Sequence, residues 1–394
     1  MIKRTYKYRI YPTKAQQEIL EINLSLCRWL YNHFLEERKT LYEKNKTKVT
    51  CYDQIKEIPE LKKEKPELKK VYSQTLQDTA RRLDKAFQSF FRRVKENKKG
   101  KNKKLGYPRF KGYLRYDSIT YPQSGFKLKD GKLSLSKIGS LKIKLHREIR
   151  GNIKTLILRR TTTNKWYACF SVESDKELPG KMEIENIVGL DVGLASFLTT
   201  SKGEKIDNPR YLRKSEEKLA KIQKCHSRKS LKSKNRKKSR LRVAKLHEKI
   251  HNQRIDFLHK LSSRLVKNFQ LIAFEKLNIK AMIKNRHLSK SISDASWSIF
   301  LQQLKYKAEE AGVWAIEVNS KNTTQVCSGC GAIVSKTLAT RKHKCPKCIL
   351  TIDRDINAAR NILKLALSTV GTTGINACGV ERLLPTMKQE ALSL

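Results

Sequence analysis

Residues 185–200 read ENIVGLDVGLASFLTT, an apolar run interrupted by one acid, Asp191. Apolar residues at that density predict a strand, which puts the Asp191 side chain at a sheet and not on a solvated loop. A lone carboxylate in such a strand costs several kcal/mol unless it is paired or metal-bound. Gly189 and Gly193 flank it and leave room for backbone or substrate to come close. Pro179-Gly180 upstream marks a linker, so this strand opens a new domain.

Upstream, residues 2–10 alternate as a strand, IKRTYKYRI, which Pro12 stops. Ile19, Ile22, Leu26, Leu30 and Phe34 predict a helix from Lys14 to about Lys44. A charged stretch carrying Pro59 and Pro66 follows and is assigned no regular element. Leu76, Ala80, Leu83, Phe87, Phe90, Phe91 and Val94 predict a second helix from Ser73 to Lys98. A basic loop then carries Gly100, Gly106, Pro108 and Gly112. From Tyr116 to Ser174 the pattern is β, with Asp130-Gly131 favouring a two-residue hairpin turn. The whole reads as a β unit with a helical insertion after its first strand.

Downstream, Arg210 to Lys249 holds seventeen Lys or Arg against three acids, in helical segments continuing to about Asn268. A strand LIAFEKLNI, a helix from about Ala295 to Ala311 and a strand VWAIEVN follow. After a cysteine-rich module, a last helix is expected from about Arg354 to Leu367, then a weakly ordered Gly/Thr-rich tail.

With 394 residues and 39% hydrophobic content, the chain can build two or three cored domains. Its 86 Lys and Arg against 37 Asp and Glu give a net charge of +49, which calls for a polyanion, nucleic acid before an anionic membrane. A solvated lysine surface would explain only a smaller excess. No apolar run reaches the roughly 18 residues of a membrane span. The start MIKRTYKYRIYP lacks a signal-peptide core, so an intracellular protein is expected.

Of nine cysteines, Cys27, Cys51, Cys169, Cys225 and Cys378 are scattered and read as core or surface residues. Cys327-x-x-Cys330 and Cys345-x-x-Cys348, fourteen residues apart, have the spacing of a four-thiolate tetrahedral zinc site. All four positions are filled, so the zinc is structural, and His343 is surplus.

Two more acids complete a carboxylate set of the kind an RNase H-like nuclease needs. Glu275 ends the apolar strand LIAFE, although alone it would read as a surface residue. Asp353 and Asp355 cannot both enter one site, because residues two apart on a helix point about 200° from each other. Ala358, Ala359, Ile362 and Leu363 share the face of Asp355 and suit docking on a sheet, so Asp355 is the inward acid. Asp353 fits the helix start as a cap.

The order GLDVGL, a basic helical stretch, AFEKLNI, SISDASWSIF, CSGC…CPKC and DRDINAARNI resembles the TnpB proteins. These are transposon-associated RNA-guided DNA endonucleases of insertion sequences, related to type V CRISPR effectors. KYRIYPTKAQ near the start, GYPRFK at 106–111 and ACG at 377–379 extend the resemblance over nearly the whole chain. It implies an α/β multidomain fold: an RNase H-like (RuvC) nuclease domain with an inserted zinc ribbon, plus a wedge β-barrel carrying a helical recognition lobe. The implied boundaries are 1–12 and 108–180 for the barrel, 13–107 for the lobe, 181–320 and 351–367 for the nuclease, 321–350 for the ribbon and 368–394 for the tail. Asp191, Glu275 and Asp355 would be the catalytic triad, holding two Mg2+ (or Mn2+), beside one structural Zn2+.

The implied partners are a guide RNA (omega RNA) from the transposon end and target double-stranded DNA, in a prokaryotic cytoplasm and on the nucleoid when DNA-bound. A short duplex motif would be read by Tyr52, Gln74 and Gln77, since Gln can pair two-pronged with adenine; the two Gln also fit an ordinary helix surface. Lys234, Arg236, Lys237 and Lys238 are the densest candidate phosphate contacts. A guide-directed repressor would show a broken triad, a strand-joining transposase would lack the barrel motifs, and a zinc-ribbon RNA binder would leave Asp191 without a role. One departure is Ile349, where the family usually has Gly.

Overall fold

The computed structural model describes residues 2–372 apart from 176, 320–322 and 338–339. The ACG at 377–379, Cys378 and most of the expected tail lie outside the described residues. The chain divides into two compact units, Met1–Glu177 and Leu178–Leu394.

The first unit runs β1 (Ile2–Tyr11), α1 (Lys14–Asn45), α2 (Cys51–Glu64), a 3-10 turn (Pro66–Lys70) and α3 (Ser73–Lys98). Six strands follow: β2 (Ser118–Tyr121), β3 (Phe126–Lys129), β4 (Lys132–Leu135), β5 (Gly139–Lys144), β6 (Asn152–Arg160) and β7 (Trp166–Ser174). β1 buries Tyr6, Tyr8 and Ile10, every second residue, and pairs antiparallel with β5 and β7. It thus sits inside a seven-stranded sheet, β2-β6-β7-β1-β5-β4-β3, curled into a nearly closed barrel. Asp130 and Gly131 both take the left-handed conformation, φ 50° and 67°, that the β3–β4 hairpin requires.

Leu24, Leu30 and Phe34 of α1 and Leu76, Leu83 and Phe87 of α3 share one core with Tyr8, Leu156 and Phe170 of the sheet. Ile22 and Phe91, counted in the helical stripes, are instead exposed. The stretch left unassigned from sequence is a helix. Thr50 and Asp53 form a capping box, Gln54, Ile58 and Leu61 are buried, and together they carry α2 across Pro59.

The second unit opens with β8 (Ile187–Val192), β9 (Ser196–Thr200), β10 (Lys205–Asp207), α4 (Tyr211–Lys214), α5 (Glu216–Ser227) and α6 (Lys234–Asn268). Then come β11 (Leu271–Glu275), α7 (Ile279–Met282), α8 (Ser289–Ala295), α9 (Trp297–Ala311) and β12 (Trp314–Val318). β13 (Lys342–Lys344), β14 (Thr351–Asp353) and α10 (Arg354–Thr372) end the described chain, the last helix passing the expected end at Leu367.

β8, β11 and β12 are parallel, β9 and β10 antiparallel, in the order β10-β9-β8-β11-β12. Successive residues of a strand face opposite sides, and the two sides carry different cores. Val188, Leu190, Ile272 and Phe274 pack with Leu258, Leu261, Phe300 and Leu304 of α6 and α9. Ile187, Leu271, Ala273 and Val318 pack with Ile362, Leu363 and Ala366 of α10. At Gly189 a Cβ would lie 2.1 Å from the Ala359 carbonyl oxygen, so glycine is what lets α10 settle onto β8.

Candidate active site

Strand parity assembles the acids. Ile187 and Gly189 face α10, so Asp191, two residues on, faces it too; Leu271 and Ala273 fix the same side for Glu275. β8 and β11 run parallel with Leu190 opposite Phe274, which puts the two acids next along adjacent strands, at their carboxyl ends. Ligands of open α/β sheets bind at such ends. Asp355 lies in the first turn of the helix packed on that face. Ala358, Ala359, Ile362 and Leu363 are all buried on its docking side.

Burial pushes the Asp191 carboxyl well above the ordinary carboxylate range, and the charges of Glu275 and Asp355 push it further; Arg354 opposes them. Burial also raises Glu275, against a hydrogen bond donated by the Thr323 hydroxyl at 2.5 Å. A desolvated cluster of like charges is a functional arrangement more often than a stabilising one. Three carboxylates without thiolate or imidazole are hard donors that fit magnesium or manganese. The cysteines form a separate set, with all four sulfur atoms within 4.8 Å of one another.

Asp353 is engaged elsewhere, although its charge also pushes the Asp191 carboxyl up. Its Oδ1 accepts from the amides of Asp355 (2.9 Å) and Ile356 (3.4 Å), while Lys205 Nζ donates to Oδ2 at 2.6 Å. Burial would raise its pKa, but Lys205 and the two amides outweigh burial and lower it.

Cys327, Cys330, Cys345 and Cys348 form two matching knuckles. Gly331 N–H donates to Cys327 O and Ile349 N–H to Cys345 O, both at 3.0 Å, and each first cysteine's amide donates onward to residue 332 or 350. Amides of Cys348 and Lys347 aimed at the Cys345 sulfur lower its thiol to about 6. A four-thiolate set so gathered fits zinc. His343, fully buried on β13, is outside the four.

Tyr52 is exposed at the start of α2, and Gln74 and Gln77 are half-buried on the first turns of α3. Lys234, Lys237 and Lys238 are exposed on α6. Arg236 is half-buried, and its Nη1 donates to the carbonyls of Lys229 (2.7 Å) and His226 (3.3 Å), which ties down the α5–α6 turn. A cleft of about 520 Å3 opens just beyond β8, lined by Leu194, Ala195, Arg210, Arg213, Lys290 and Arg341 among others.

Sequence reasoning missed Thr323, Asn357 and Asn361. Asn357 Nδ2 donates to Val326 O, and Asn361 Nδ2 to Thr323 O and Val326 O. Their four-residue spacing on α10 was the available signal, since it sets both amides on one face.

The solved structure of the mini RNA-guided endonuclease CRISPR-Cas_phi3 matches 93% of this chain and 92% of its own length, with a TM-score of 0.51 at 10% identity. The fold is therefore of the CRISPR-Cas_phi kind. A Streptomyces pristinaespiralis protein named “Putative RNA-guided DNA endonuclease” is 34% identical over 386 residues, 96% of this chain and 91% of its own. InsQ of Escherichia coli K12, given the same description, is 29% identical over 380 residues, 91% of each chain. Family models described as “Probable transposase” and “Cas12f1-like, TNB domain” match residues 169–286 and 297–362. The chain belongs to the TnpB family. A third model, “Helix-turn-helix domain”, matches residues 1–47, where the structure has one strand and one long helix.

Proposed function

We propose that the chain is an RNA-guided DNA endonuclease that hydrolyses phosphodiesters at a two-cation carboxylate site in a RuvC-type, RNase H-like domain. The observation that carries it is the convergence of Asp191, Glu275 and Asp355 on one face of the sheet, at the strand ends where α10 begins. The relatives' names supply the guide RNA and the DNA substrate; +49 of net charge supplies the attraction for both.

Asp191, Glu275 and Asp355 would together hold the two cations. Divalent cations bound there supply an activated water and stabilisation of the leaving oxygen. Asp191 is the acid whose burial favours neutralisation, so a bound cation relieves the strain that like charges place on it. Arg210, Arg213 and Arg341 line the cleft beside β8, next to the Lys290–Glu216 ion pair, and would receive the phosphates of the strand being cut. Residues 1–12 and 108–180 would serve as the wedge barrel, 13–107 as the recognition lobe, 181–320 and 351–367 as the nuclease and 321–350 as the zinc ribbon. Tyr52, Gln74 and Gln77 would face the DNA motif, and base pairing would read the target.

Asp191→Ala tests the reading. Loaded with guide RNA and given a matched target with magnesium, it should bind both nucleic acids and leave the DNA intact. Cutting at the wild-type rate would place the chemistry elsewhere.

A further inference from the structure

The segment 323–328 touches three things at once. Its Thr323, buried, donates its hydroxyl to Glu275 Oε1 at 2.5 Å. Its Cys327 is a knuckle ligand candidate. Its backbone is gripped by α10: Asn361 Nδ2 donates to Thr323 O at 2.8 Å and Val326 O at 2.7 Å, and Asn357 Nδ2 to Val326 O at 2.8 Å. The Asn357 Oδ1 accepts from Ser328 N at 2.9 Å, and Lys364 Nζ donates to Ser328 O. Positions 357, 361 and 364 lie along one face of α10, on the side away from the apolar face that docks on the sheet.

Both asparagines are buried, so each unmade amide bond would leave a desolvated polar group. The hydrogen bonds are therefore obligatory. They run from the cysteine module through one short segment to Glu275 and, along α10, to Asp355 in its first turn.

We propose that Thr323 is a positioning residue for the Glu275 carboxylate, held in place by Asn357 and Asn361, so that the cysteine module is a structural part of the cation site. It is the folding of segment 323–328 around Cys327 that presents the Thr323 hydroxyl. α10 then carries two registrations: its alanine face sets Asp355 over the sheet, and its asparagine face sets Thr323 over Glu275. This inference rests on the carboxylate-site reading above.

The test is direct Mn2+ binding to the full-length chain, following free Mn2+ by electron paramagnetic resonance, with zinc measured by elemental analysis. Thr323→Val should weaken Mn2+ binding about 10–100-fold, the usual effect of removing a group that orients a metal ligand. Thr323→Ser, which keeps the hydroxyl, should bind Mn2+ like the parent. Asn361→Ala should weaken binding in the same direction as Thr323→Val. All three variants should retain zinc. Mn2+ binding by Thr323→Val that matches the parent, or loss in Thr323→Ser equal to that in Thr323→Val, overturns the proposal. Asp191→Ala serves as the control: if it binds Mn2+ as tightly as the parent, the carboxylate site itself is wrong, a result distinct from failure of Thr323.

Discussion

Ile349 shows what one side chain can cost. It occupies in the second knuckle the place of Gly331 in the first, with the same hydrogen bond to the first cysteine and the same left-handed backbone, φ 62° against 79°. A β-branched residue there is strained by about 1–2 kcal/mol. It is 86% exposed, so packing returns little. Ile349→Gly should therefore stabilise the module by about 1 kcal/mol, once the extra freedom of glycine in the unfolded chain is subtracted. Slower zinc loss to a chelator, with a raised unfolding temperature, would confirm it; faster loss would contradict it. Asp191 is the opposite case, a residue kept for chemistry. Its pKa in the fold is raised, chiefly by burial, so the native state binds the extra proton and stability falls as pH rises from the ordinary Asp range through the raised value. In buffer without magnesium or manganese, Asp191→Asn should melt above the parent at neutral pH, the gap closing as pH falls. Each kcal/mol is worth about 2–4 °C in a domain of this size. Equal melting temperatures throughout would mean that Asp191 carries no burden in the cation-free fold.

Among elements, α10 was the most legible from sequence, because periodicity distinguishes its faces. Ala358, Ala359, Ile362 and Leu363 identified the docking side, and Asp353 is indeed the cap, bonded to the amides of Asp355 and Ile356. What periodicity could not show is that the polar face is also buried: Asn357 and Asn361 looked hydrophilic, and their partners are backbone groups of a distant segment. α2 was missed for a related reason. Pro59 spoke against a helix; the Thr50–Asp53 capping box was a local signal passed over, while the burial of Ile58 and Leu61 that outweighs the proline is a tertiary fact. The strands were easier, since alternation marked β1 and apolar density marked β8, but the side to which Asp191 turns is set by the two cores packed on the sheet. The α10 assignment predicts a split between two acids. Asp353→Ala should lose about 0.5–2 kcal/mol of stability and keep most cleavage. Asp355→Ala should lose cleavage while melting close to the parent. Reversal of that pair in a cleavage and melting assay would put the wrong face of α10 toward the sheet.

For the whole molecule, the net charge of +49 was the plainest feature of the sequence, yet it does not say which cations meet nucleic acid. The structure sorts four of them. Arg236 is occupied with the carbonyls of His226 and Lys229, so its loss should loosen the α5–α6 turn whatever the ligand. Lys234, Lys237 and Lys238 are exposed on the first turns of α6, with no acid in that turn to pair with. A solvated helix face would tolerate their removal, because isolated surface charges contribute little to stability. A phosphate track would not, since every phosphate neutralised releases counterions and steepens the fall of affinity with salt. Replacing the three lysines by glutamine should leave zinc content and melting temperature unchanged while weakening guide-RNA binding. In titrations at several salt concentrations, the slope of log K against log[salt] should flatten by about 0.7–0.9 for each phosphate that no longer meets a lysine. The arginine variant provides the contrast, with a lower melting temperature and little change in slope. If the lysine variant keeps the parent slope, the run is a solvated face, and the polyanion is held elsewhere on the basic surface.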